Sequence, residues 1–153
     1  MRRFPPPTFW CSCAPPMRRL ETKGRARALQ LLYAWELTGE LPMHDVASGV
    51  ARMTGPEPRV LDFAESLAAR VAENVAVIDR RAAEAADNWR MSRIAVVERN
   101  ILRIAIQELT DGTVPPRVVI DEAVQLAHLF AGPKAPGFVN GVLDRIARSA
   151  GLL

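Results

Sequence analysis

The chain predicts an all-α fold, a compact bundle of about six or seven helices. Three observations predict it. Apolar residues recur at three- and four-residue spacing from Leu29 to Ile146. No segment alternates with period two, as a half-buried strand would. Glycine and proline pairs punctuate the periodic stretches. A length of 153 residues fits one domain, and 49% hydrophobic with 24% charged residues is enough to bury a core.

Residues 1–17 stand apart. They hold Pro5, Pro6, Pro7, Pro15 and Pro16, with Phe4, Phe9 and Trp10 between them. Proline lacks the N–H a helix needs, so this leader is expected to be extended or disordered. Met17 directly precedes basic, helix-forming sequence and is expected to be the translation start. The folded domain is then 18–153.

From Lys23 the pattern turns helical, with Leu29, Leu32 and Tyr33 at i, i+3 and i+4 and a stop at Gly39. A short helix is expected near Met43–Arg52, ended by Thr54-Gly55-Pro56. Pro58 suits the first turn of a long helix. Val60, Phe63, Ala64, Leu67, Val71, Val75 and Ile78 carry that helix to about Ala86, before Asp87-Asn88. A short helical turn follows around Trp89–Arg93. Over 96–109, Leu102, Ala105, Ile106 and Leu109 make one stripe and Val97, Ile101 and Ile104 another. A helix apolar on two sides is central. After Asp111-Gly112 and Pro115-Pro116, the next helix turns Ile120, Ala123, Val124, Ala127 and Phe130 inward. Gly132-Pro133 ends it, glycine being expected to take the left-handed cap. The last helix spans about Gly137–Arg148, with Val139, Val142, Leu143 and Ile146 inward. Gly141 within it costs about 1 kcal/mol relative to alanine, which close helix packing would explain.

Charge is unevenly spread. The net charge is +3, yet residues 1–27 carry seven basic side chains against one acid, a balance of +6, while residues 28–153 carry 13 against 16, a balance of −3. Such asymmetry fits either a polyanion partner, through counterion release, or a solvated tail. No run of 18 apolar residues exists, and prolines interrupt the place where a signal peptide needs its hydrophobic helix. A cytoplasmic location is expected.

Catalytic motifs are not found. Cys11 and Cys13 have no histidine near them in sequence, since His44 and His128 are solitary, and zinc wants four ligands at set spacings. Gly132-Pro133-Lys134-Ala135 lacks the strand and spacing of a phosphate loop. Asp121-Glu122 reads as a pair in a first helical turn, favouring the dipole. No metal, no cofactor and no enzymatic activity are expected.

Four stretches in order carry a resemblance. They are Arg25-Ala26-Arg27-Ala28-Leu29-Gln30-Leu31-Leu32-Tyr33; Asn88-Trp89 followed by Arg93; Val97-Glu98-Arg99-Asn100-Ile101-Leu102-Arg103-Ile104-Ala105 with Glu108-Leu109; and Val119–Ala127 combined with Phe138-Val139-Asn140-Gly141-Val142-Leu143-Asp144. Over roughly residues 18–148 the chain resembles the NusB family of bacterial transcription antitermination factors. The resemblance implies two small helical subdomains. It implies binding of boxA RNA jointly with NusE, a small-subunit ribosomal protein, within an antitermination complex on RNA polymerase during ribosomal RNA synthesis.

It also implies site residues. Arg18, Arg19, Lys23, Arg25 and Arg27 correspond to the family's arginine-rich segment, interrupted here by Leu20, Glu21, Thr22 and Gly24. Arginine forks onto phosphate oxygens and stacks on bases. Neutralising Arg25 and Arg27 is expected to weaken RNA binding and flatten its salt dependence. Tyr33 is expected either in the core or beside RNA. Phe138 is expected to stack on a base or to staple the last helix. Asn140 has donors and an acceptor for a base edge or for a neighbouring helix. Lys134 falls in the loop the family places beside RNA. Glu98 matches a position the family turns towards NusE, and its alternative is to favour the helix dipole. Two other functions stay open: a detached NusB-like domain of a ribosomal RNA cytosine methyltransferase, and a helical module that binds only protein.

Overall fold

A computed structural model describes residues 16–87 and 90–153, with side chains from residue 20 onward. Most of the proline-rich leader, Cys11, Cys13 and the Asn88-Trp89 pair lie outside the described residues. Seven α-helices and no strand occur among the described residues: α1 (Pro16–Leu37), α2 (Met43–Thr54), α3 (Pro58–Glu73), α4 (Val75–Ala85), α5 (Val96–Asp111), α6 (Pro116–Phe130) and α7 (Ala135–Ser149). A 3₁₀ turn, Met91–Arg93, links α4 to α5.

The first helix starts earlier than its apolar pattern, at Pro16, where a missing N–H breaks no intrahelical bond. It ends where Gly39 and Glu40 turn left-handed, at φ 74° and 64°. The Thr38 hydroxyl donates to the Ala34 carbonyl across this end, at 2.9 Å.

Helix α5 is the centre. It touches α1, α3, α4, α6 and α7, while α1, α2 and α3 also pack among themselves. Asn100 to Leu109 are all buried, so the two expected stripes close into a full cylinder. Among the described residues only Asn100 Nδ2 is buried without a partner; the other buried polar side chains of so enclosed a helix pair within the protein. Gln107 does so by donating to Asp111 at 2.7 Å and accepting from Asn74 at 3.1 Å.

The single helix expected over 58–86 is two. α3 stops at Glu73, and Asn74 (φ −106°, ψ 10°) begins the turn into α4. Its side-chain amide donates to the Arg70 carbonyl at 3.0 Å, beside its own backbone N–H, which donates there at 3.1 Å. Apolar spacing runs through the break because Val71 and Ile78 face one continuous core. Periodicity is blind to such a joint.

Other expectations change. Gly132 does not take a left-handed conformation; the extended backbone of Ala131 (φ −117°, ψ 178°) and then Pro133 end α6. The last helix begins two residues early, with Pro136 in its first turn. Phe130 is 47% exposed, off the buried face of α6. Asp121 and Glu122 sit one turn inside α6, too deep to favour its dipole. Gly141 is exposed, and a Cβ there would meet nothing within 4 Å, so close packing is not its reason. The close approach is at Gly24, where an added Cβ would stand 2.2 Å from Cδ1 of Phe63.

Candidate nucleic-acid interface

The basic segment divides by helical phase. α1 buries Gly24, Arg25, Ala28, Leu29, Leu31, Leu32 and Trp35, so side chains between them on the wheel face outward. Lys23, Gln30, Tyr33 and Leu37 are exposed and form one stripe. Arg27 is half-buried, and its guanidinium donates to the neighbouring Gln30 amide oxygen at 2.8 Å. Lys23 pairs loosely with Glu57 at 3.4 Å, both about half exposed. A pair so exposed holds its cation weakly, and a phosphate can compete for it. Arg18 and Arg19 fall in the first turn of α1, with side chains outside the described residues.

Arg25 is elsewhere. It is 2% exposed. Its Nε and Nη2 donate to the Glu108 carboxylate on α5, at 2.8–3.1 Å, and its Nη1 lies 3.5 Å from Glu122 on α6. Burial alone would lower its pKa, but the hydrogen bond and charge of Glu108, then the charge of Glu122, raise it. The guanidinium is charged, enclosed and occupied, and the geometry takes Arg25 out of any solvent-facing RNA surface. The interruptions of the basic run acquire reasons. Gly24 admits the Phe63 ring, and Thr22 donates to Glu122 at 3.2 Å.

The far end of α1 carries the reverse arrangement. Glu36 accepts from Arg99 at 2.7 Å and from Arg103, which also forks onto Asp79 at 2.8 Å through two bonds. Burial pushes the Glu36 carboxyl up, but the hydrogen bond from Arg99 and the charge of Arg103 hold it below its usual range. Burial alone would lower the Arg103 pKa, but the hydrogen bond and charge of Asp79 raise it. Glu98, next to Arg99, is half-buried in the first turn of α5 and so stands at this end. Residues 23 and 36 are about 20 Å apart along the helix. The expected RNA cations and the expected partner residue therefore mark opposite ends of α1.

Tyr33 is 44% exposed, not core. Lys134 is exposed just before α7. Phe138 is partly buried and packs against the core, which fits a staple better than a free stacking face. Asn140 is exposed and lines a groove between α6 and α7 with Arg117, Asp121, Asp144 and Arg148. The exposed aromatic of this corner is Phe130, although its spacing with Ala123 and Ala127 predicts an inward face.

Glu108, Glu122 and Arg103 were missed as working residues. A signal existed for two of them. Arg103 and Glu108 stand inside a run apolar on all sides, and a charge there must be paired.

Fold and surface thus define an all-helical protein of one core, with a basic first helix half scaffold and half exposed cation. A family model described as the NusB family matches residues 22–148. A transcription antitermination protein NusB of Sorangium cellulosum is 41% identical over 129 residues, covering 84% of this chain and 91% of that protein. One from Anaeromyxobacter dehalogenans is 39% identical over 132 residues, covering 86% and 92%. Among solved structures, NusB of T. maritima superposes with a TM-score of 0.75 at 28% identity, covering 84% of this chain and 90% of that one. A chain from a crystal structure of antitermination factors NusB and NusE in complex with dsRNA superposes with a TM-score of 0.75 at 29% identity, covering 86% and 98%. The chain belongs to the NusB family. Among the described residues no helix is long and apolar enough to cross a membrane.

Proposed function

We propose that the chain is a transcription antitermination factor that binds boxA RNA together with NusE and supports ribosomal RNA transcription on RNA polymerase. It acts as an adaptor in the cytoplasm, without catalysis. One observation carries this reading: its fold matches, over nearly the whole of that chain, a NusB crystallised with NusE and dsRNA.

The surface supports it. Lys23 and Arg27 offer cations at one end of α1, and Lys134 offers another at the α6–α7 corner. Phe130 adds an exposed ring there that can stack on a base. Gly137 and Gly141, one turn apart, leave a strip of α7 bare, with open space where a Cβ would stand. Tyr33 shares the exposed stripe of Lys23 and suits RNA, while Glu98, in the first turn of α5, suits the protein partner. Arg18 and Arg19 belong to the RNA side by their place in the first turn of α1.

Titrating boxA RNA with and without NusE tests the reading. Weak binding alone and tighter binding with NusE are expected; equal affinity in both cases overturns it.

A further inference from the structure

We infer that Glu122 is a positioning residue that holds the basic segment of α1 in register with the α6–α7 corner. The inference rests on the RNA-binding reading above.

Helices α1 and α6 both lie on α5 but barely touch each other. Among the described residues, the polar contacts between them converge on one carboxylate, that of Glu122. Its Oε1 accepts from the Thr22 hydroxyl at 3.2 Å, and its Oε2 lies 3.5 Å from Nη1 of Arg25. Both partners sit inside the basic segment, on the side of α1 turned from solvent. Glu122 in turn rides on α6, which runs about 12 Å further to Phe130 and the Lys134 loop. The two cationic groups of the surface are thus tied through this side chain.

An acid in this place is otherwise a liability. A carboxylate among groups that must meet phosphates repels the ligand. If Glu122 were only a half-buried surface acid, removing its charge would tighten RNA binding. As a positioning residue it acts oppositely, since a site whose halves drift binds less well than one held in place.

Three variants of the full chain separate these possibilities, using a single-stranded boxA RNA with NusE present. Glu122→Ala removes both the charge and the acceptor. Glu122→Gln removes the same charge but keeps a carbonyl oxygen for Thr22. Thr22→Val removes the donor and leaves all charges. Glu122→Ala and Thr22→Val are expected to weaken binding by about 3- to 10-fold, the worth of one net hydrogen bond. The slope of affinity against salt stays unchanged, because no phosphate contact is lost. Glu122→Gln is expected to bind as the wild type does, or tighter. Thermal melts of each variant report folding separately, and Arg25 keeps Glu108 throughout.

Equal shifts for Glu122→Ala and Glu122→Gln mean the acid acts by charge alone, and the inference falls. A Thr22→Val protein that binds normally overturns it too. Failure of the wild type to bind boxA RNA is a different result; it removes the proposed function and this inference with it.

Discussion

The two ends of α1 are fastened to α5 by ion clusters of opposite polarity. At the N-terminal end the helix gives an arginine, Arg25, to Glu108. At the C-terminal end it gives a glutamate, Glu36, to Arg99 and Arg103. Sliding or reversing α1 would bring like charges together, so the clusters fix its register on α5 as apolar packing alone would not. They differ in redundancy. Arg25 has one close, bidentate acid and a distant second. Arg103 keeps its fork to Asp79 whatever becomes of Glu36. A buried charge is costly when stranded and tolerable when a second partner remains.

That contrast is open to measurement. Glu108→Ala leaves the buried guanidinium only the more distant Glu122 and is expected to cost about 3–5 kcal/mol in urea unfolding. Glu36→Ala leaves Arg103 paired and is expected to cost less, about 1.5–3 kcal/mol. Equal costs would show that the second acid offers no reserve. At the N-terminal end, Gly24→Ala drives a methyl into Phe63; about 1–3 kcal/mol of overpacking, less about 1 kcal/mol of gained helix propensity, lowers the melting temperature. A rise in melting temperature would mean the ring moves aside freely.

Acid probes the C-terminal end. The Glu36 carboxyl is lowered in the folded state, so its stabilisation is fully present above its unfolded value near 4.5 and is lost as pH falls through the folded value. The stability gap between wild type and Glu36→Gln is therefore expected at pH 6 and to narrow below about pH 4.5. Urea melts across that range check it, and a gap independent of pH contradicts the pairing. The smallest structural effect belongs to the exposed layer. Arg27→Gln is expected to change stability by no more than about 0.5 kcal/mol, while reducing the slope of log affinity for single-stranded RNA against log salt by about 0.7 if it meets one phosphate.

The bundle was legible in the sequence because long helices print their buried face as spacing. The enclosed helix announced itself through Val97, Ile101 and Ile104 opposite Leu102 and Leu109. The joint at Asn74 was not legible, since both helices face one core and a side-chain hydrogen bond leaves no periodic trace. For the candidate site, composition marked the basic segment but not its phase. Arg25 and Arg27 are two residues apart, about 200° around the helix, so one enters the core while the other stays near solvent. Only the buried stripe of Leu29 and Leu32, extended backward, could have sorted them. Tyr33 and Phe130 lie at the margins of apolar stripes, where spacing alone does not decide between core and surface.

The enclosure of α5 sets a clock for the whole chain. Its middle ten residues have no face on solvent, and five other helices lie against it. Its amide hydrogens are expected to exchange with deuterium only when the protein opens globally, after those of the α2 end and the 131–134 loop. Disassembly from the outside in, with α5 the last helix to lose protection, is written into its position.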